Sequence, residues 1–139
     1  MVWIISANIN VYDYISAFDS NGYVNWRHRV KFKDGDIVYI YCSKGVTKPI
    51  HRIKYKCVVL KHSMPFSECV DDVAFWKDLD ELEKAKSMHF VHLKLLKEVD
   101  TDLLSLGALI ENGLKKAPQG PTKKLSLELK TYIENCFND

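Results

Sequence analysis

Five histidines (His28, His51, His62, His89 and His92) and four cysteines (Cys42, Cys57, Cys69 and Cys136) are the side chains best suited to metal binding or nucleophilic catalysis. Neither set has the spacing such chemistry uses. His89 and His92 lie three apart in a strand-like segment, so they point to opposite faces and do not share a metal. The cysteines are scattered, with no C-x-x-C pair, and read as reduced, mostly buried thiols. Asp34-Gly35-Asp36 offers two carboxylates for a magnesium ion, but turn chemistry accounts for the same residues. No G-x-x-x-x-G-K-[ST] loop is present. The residues therefore predict a protein that is not an enzyme and takes no metal or cofactor. Any nuclease or nucleotide hydrolysis it serves would reside in another domain or subunit.

A second kind of chemistry, the holding of a base and its phosphates, has more candidates. Trp26 directly precedes Arg27, His28 and Arg29, and Tyr39 and Tyr41 share one face of their strand. A Trp and a Tyr around a cavity can sandwich an extruded base while neighbouring Lys and Arg hold its backbone. The same residues equally fit packing roles, with Trp26 covering a sheet edge and the tyrosines half-buried.

The stretch KKAPQGPTKK, residues 115–124, adds a third candidate region. Pro118 and Pro121 restrict the backbone on either side of Gly120, which holds Gln119 on a short stiff loop before a helix. That mechanics explains the prolines but does not require Lys115, Lys116, Lys123 and Lys124.

These residues depend on a frame legible in the pattern. Val2 to Ala7 reads as a central strand, apolar on both faces. Asn8 or Asn10 is positioned to cap a short helix through Tyr12, Ile15 and Phe18. A turn at Ser20-Asn21-Gly22 leads to the polar-aromatic stretch YVNWRHRV, which shows no clean alternation. The Asp-Gly-Asp turn launches a strand through DIVYIYCS, and after a loop from Gly45 to Pro49 a β-branched run extends from Ile50 to Leu60. Residues 64–87 read as an irregular acidic insertion with a short helix carrying Phe75, Leu79, Leu82 and Ala85. A strand from His89 to Val99 follows. Asp100 or Thr101 then caps a helix through Leu103, Leu104 and Leu106 that closes at Gly113. Ser126 begins a last helix carrying Leu127, Leu129, Ile133 and Phe137. The element order predicts an α+β fold, a small mixed sheet or barrel covered by helices, and one domain over residues 1–139.

Composition agrees with a folded domain of ordinary size: 139 residues, 47% hydrophobic and 27% charged, with a formal charge of +2. The charge is unevenly spread. Residues 27–61 are basic, residues 68–83 acidic, and the C-terminal third basic again around the lysines of 115–124. Two basic segments meeting in space would suit phosphates. No apolar run is long enough to span a membrane and the first residues carry no leader pattern, so the expected compartment is the cytoplasm.

Taken together, WIISAN, NWRHRVKFKDGDIVYIYCS, IKYKCVVL and GLKKAPQGPTKKLSLELKTYI resemble the EVE domains of the PUA-like superfamily, related to YTH readers, in the version carried by modification-dependent restriction proteins. The resemblance implies a small curved sheet or barrel with flanking helices. It also implies a reader that flips a modified base, methylated or hydroxymethylated cytosine or methyladenine, out of double-stranded DNA into an aromatic pocket. By the same resemblance Trp26 and Tyr41 stack on the base, and Asn8, Asn25, Ser43 or Gln119 read its polar edge. Arg27, Arg29, Lys44, Lys48, Lys115, Lys116, Lys123 and Lys124 are the expected phosphate contacts. A nuclease or nucleotide-hydrolysing restriction subunit is the implied protein partner. An RNA-binding module of the PUA and YTH kind, or a non-catalytic protein-interaction domain, is the alternative.

Overall fold

A computed structural model describes residues 1–44, 49–119 and 123–138, without the side chains of Lys44, Lys123 and Lys124. Its six strands are β1 (Val2–Ala7), β2 (Tyr23–His28), β3 (Ile37–Lys44), β4 (Pro49–Pro65), β5 (His89–Glu98) and β6 (Lys123–Lys124). The helices are α1 (Tyr14–Asn21), α2 (Leu79–Ala85), α3 (Leu106–Glu111) and α4 (Leu127–Phe137). The strands form one curved mixed sheet in the order β2-β5-β4-β3-β1-β6. β1 and β3 run parallel and every other pair is antiparallel. The expected α+β class, with helices packed on a small curved sheet, is what forms.

The apolar run of β1 is divided between two cores, as a strand buried on both faces requires. Trp3, Ile5 and Ala7 join Val38, Ile40 and Cys42 of β3 in the larger core, which also takes in Phe18 of α1 and Trp76. Ile4 joins Tyr39, Tyr41 and Ile53 in a second core closed by Leu109 of α3 and by Leu129, Ile133 and Phe137 of α4. β4 contributes to both through a bulge. Tyr55 pairs with Ile40 and Ile53 with Tyr41, leaving Lys54 as the extra residue and turning Tyr55, Cys57 and Val59 into the larger core.

Several boundaries differ from the sequence expectation. α1 is capped by Asp13, whose carboxylate accepts from Ser16 N at 3.1 Å, rather than by Asn8 or Asn10. Asn8 instead closes a tight turn, its Oδ1 accepting from Asn10 N at 2.9 Å. Gly22 ends α1 at φ 74°, in the left-handed region that a glycine enters at little steric cost. The stretch YVNWRH is the regular strand β2, paired throughout with β5. Its polar residues obscure the alternation because a second layer covers them. The acidic segment is ordered into 3-10 turns over Phe66–Glu68 and Val70–Phe75 and then α2, capped by Asp78. Leu79 is two-thirds exposed, so the helical stripe expected there begins only at Leu82. Thr101 caps a 3-10 turn over Asp102–Leu104, and Ser105 starts α3 separately, so the single helix expected after residue 100 is two elements. Ser126 caps α4 as expected, accepting from Leu129 N. Among the described residues no helix is long and apolar enough to cross a membrane.

Candidate functional site

β2 ends the sheet on one side, and on the other β6 covers β1 only at Trp3 and Ile4. A cleft of about 380 Å³ brings the two strands together, lined from β1 by Ile5, Ser6 and nearby Asn8, and across from them by Asn25 through Val30. Six consecutive residues line that wall, whereas a strand facing a cavity would contribute every second one. The wall is therefore the edge of β2, continued by residues 29–30 beyond its end. The Leu95 N to Gly22 O hydrogen bond sets the alternation that turns the main-chain N–H of Asn25 away from β5. That N–H donates to Asp72 Oδ2 at 3.1 Å. Two residues on, the main-chain groups of Arg27 point outward in the same sense.

The acidic segment supplies the rest of the site. It is fastened to the turn before α1 by Asp13 N to Phe75 O and Lys77 N to Val11 O, both 2.8 Å, and by an isolated bridge between Tyr12 and Trp76. This places Tyr12 between two indoles: its ring meets Trp26 edge-on at 5.8 Å and Trp76 edge-on at 5.5 Å. Tyr12 Oη donates to Asp72 Oδ2 at 2.6 Å. Asp72 is 1% exposed, and that burial raises its carboxyl above the ordinary aspartate value despite the hydrogen bonds from Tyr12 and Asn25. Burial likewise raises the Tyr12 phenol, which remains a donor.

Trp26 is half-buried, packing on the larger core while lining the cleft. Arg27 donates from Nη1 to Glu81 Oε2 at 2.8 Å, and its guanidinium carbon lies 5.6 Å from the centre of the Trp76 ring. Glu81 is brought there by the cap of α2, where Asp78 accepts from the Glu81 main-chain N–H. The hydrogen bond and charge of Arg27 hold the Glu81 carboxyl below its usual range. Burial lowers the pKa of His28, so its imidazole is neutral at pH 7. Its Nδ1 donates to Val30 O at 2.7 Å, and Nε2 is buried with no hydrogen-bond partner among the described residues. Arg29 is exposed.

The residues singled out by sequence divide sharply. Asn8, Asn25, Trp26, Arg27 and Arg29 line this one cleft. Asn25 is nevertheless a strut: it is 2% exposed, its Nδ2 donates to Asp71 and its Oδ1 accepts from His92 Nδ1. Tyr41 corrects the expected Trp and Tyr sandwich. It is 1% exposed in the second core beneath the C-terminal helices, with Oη 3.3 Å from His51 Nδ1, whereas Trp26 packs on the larger core. Alternation along β3 put Tyr39 and Tyr41 on one face but could not say which face opens to a cleft. Ser43 does not line the cleft; its hydroxyl donates to Ala7 O at 3.1 Å and ties β3 to β1. Gln119, Lys115 and Lys116 are exposed, and none lines the cleft. Lys48 lies outside the described residues, as do the side chains of Lys44, Lys123 and Lys124. Tyr12, Asp72, Trp76 and Glu81 were not anticipated. Tyr12 reads in the sequence only as a residue of the first helix, and the sole signal of the other three is an acidic stretch that carries a Phe-Trp pair.

No protein-family model and no curated protein matches the sequence. Solved structures do match in shape. ASCH from Zymomonas mobilis superposes with a TM-score of 0.67 at 12% identity, covering 99% of this chain and 96% of that one. The fold is PUA-like. A structural-genomics protein from Pseudomonas syringae gives 0.62 at 15% identity, covering 98% and 99%. A hypothetical protein from Leishmania major gives 0.61 at 16%, covering 97% and 92%. The family named among these neighbours is ASCH, and at these identities the likeness shows a shared fold and not the EVE branch.

Proposed function

We propose that this chain is a non-catalytic RNA-binding module of the PUA-like kind, which takes one unstacked base of a single strand into the cleft between β1 and β2. The observation that carries this reading is the half-buried Trp26 in a cleft of about 380 Å³, beside Arg27 and Arg29. That volume is at the small end of ligand pockets, roughly 300–1,000 Å³, and suits a single base. Stacking on Trp26 supplies affinity that every base can use. Arg29, with the neighbouring exposed Lys31 and Lys33, would hold the backbone. Ser6 and Asn8, which line the cleft on the β1 side, would serve as partners for a ribose 2′-hydroxyl.

Charge favours a single strand over a duplex. Glu81 lines the same cleft, and the acidic segment that carries it holds Asp71, Asp78, Asp80 and Glu83. A duplex with one base extruded presents phosphates on both sides of the opening and would press some of them against these carboxylates. A single strand can leave on the basic side alone. The reading of modified duplex DNA for a restriction system, as in EVE domains, is the competitor that the same experiment addresses.

Binding of short single-stranded RNA, single-stranded DNA and duplexes carrying methylated or hydroxymethylated cytosine or methyladenine is measured at one fixed salt concentration. RNA is expected to bind tightest. Trp26→Ala is expected to weaken it by roughly five- to a hundredfold, the loss of about 1–3 kcal/mol of stacking. Tighter binding of a modified duplex, or RNA binding indifferent to Trp26→Ala, overturns the proposal.

A further inference from the structure

Tyr12, Trp26 and Trp76 with a carboxylate nearby look at first like a cage for a quaternary ammonium group. The protein has already filled that role. Arg27 lies over Trp76 at 5.6 Å and neutralises Glu81 at 2.8 Å, so a cationic ligand would have to displace a tethered guanidinium. What the cleft offers instead is a set of directed donors. Glu81 engages only Nη1 of Arg27, through its carboxylate and, at 3.4 Å, its main-chain oxygen. Nη2 and Nε have no acceptor among the described residues. The contact with Trp76 and the bond to Glu81 together restrain an Arg27 side chain that is only 28% exposed.

From this geometry we infer that the cleft selects guanine, with Arg27 donating to O6 and N7 of the stacked base and Glu81 acting as its positioning residue. The inference rests on the RNA-binding reading above and names the base that site takes. Guanine is the natural complement because its O6 and N7 are two acceptors side by side on one edge, matching the fork of a guanidinium. Adenine places an N6 amino donor where O6 would be, against the donors of Arg27. Cytosine and uracil have no N7. Arg29, exposed and without an ion pair among the described residues, is left for phosphate.

The test uses the whole chain and a set of short uridine-rich RNAs that differ at one central position: guanosine, inosine, 7-deazaguanosine, adenosine or cytidine. Inosine keeps O6 and N7 but lacks the 2-amino group, whereas 7-deazaguanosine lacks only the N7 acceptor. Guanosine and inosine are expected to bind alike, and five- to a hundredfold tighter than adenosine, the range of one bidentate contact worth about 1–3 kcal/mol. 7-Deazaguanosine is expected to lose a large part of that preference. Arg27→Lys keeps the charge but not the fork. It is expected to abolish the preference while binding still responds to Trp26→Ala. Glu81→Gln is expected to reduce the ratio of guanosine to adenosine affinity without changing salt dependence, a pattern that a loss of folding would not give. Equal binding of all five RNAs overturns the guanine assignment, and a guanosine preference that survives 7-deaza substitution or Arg27→Lys overturns the Arg27 contact; either result leaves RNA binding standing. Absence of any Trp26-dependent binding overturns both.

Discussion

The two faces of the sheet are built on different rules. Beneath α3 and α4 the second core is almost wholly apolar. Its tyrosines are packing residues: Tyr39 Oη has no partner among the described residues, and burial pushes its phenol up to about 12. Toward α1 and the acidic segment, the larger core buries Asn25, Asp36 and Asp72, with Asp36 bonded by Trp3 Nε1 at 3.0 Å and Asp72 by Tyr12 and Asn25. An apolar face needs only shape and volume to hold its helices. A face that must keep an opening cannot fill it, so hydrogen-bonded struts fix the walls instead. The difference teaches that the cleft is a structure held open, whereas the other face is a core closed.

The largest expected effect breaks the closed face. Ile133→Ala leaves a cavity in the second core and is expected to cost about 2–5 kcal/mol of stability by denaturant unfolding, with the base preference of the surviving folded protein unchanged. A lost base preference would show that the two faces are not independent. Next, Tyr12→Phe removes one strut by leaving Asp72 to Asn25 N alone. The expected cost is about 1–3 kcal/mol, accompanied by weaker RNA binding, because Tyr12 both bonds Asp72 and packs on Trp76. Destabilisation without any change in binding would show that the struts serve the fold only.

The smallest effect is a dependence on pH. Burial raises Asp72 above its unfolded value near about 4, so the fold favours the protonated acid. Its contribution is complete below that pH and is lost as pH rises through the folded value. Wild type should therefore lose stability relative to Asp72→Asn as pH climbs from acid to neutral. Asp36 pulls the other way: hydrogen bonds from Lys33 N, Trp3 Nε1 and the terminal amine outweigh its burial and lower its pKa. Both proteins carry Asp36, so it cancels in the comparison. A stability difference constant across pH would remove Asp72 from the account.

Much of the frame was legible because it rests on local rules. The apolar run of β1, the Asp-Gly-Asp turn with Gly35 at φ 91°, and the Ser126 cap of α4 each act within a few residues. The site was half legible. Trp26, Arg27 and Arg29 stood out by type, and Asn8 only through the resemblance to EVE domains. Tyr41 misled, since period-2 alternation separates two faces without ranking them, and here the helices cover its face. Trp76 and Glu81 were hidden for the opposite reason. They sit in a segment with weak periodicity whose order comes from fastening to residues 11–13, some sixty positions earlier. Pairing over such a distance leaves no trace in local spacing.

The bond from Asn25 N to the Asp72 carboxylate has a further consequence. An outermost strand with idle N–H groups is a template on which a second polypeptide can grow by main-chain pairing. A side-chain carboxylate can satisfy such a group but offers no continuing ladder to the next molecule. By laying Asp72 along β2, the chain silences the middle of that strand as a site of self-association, and it leaves the stretch at Arg27 open to the cleft.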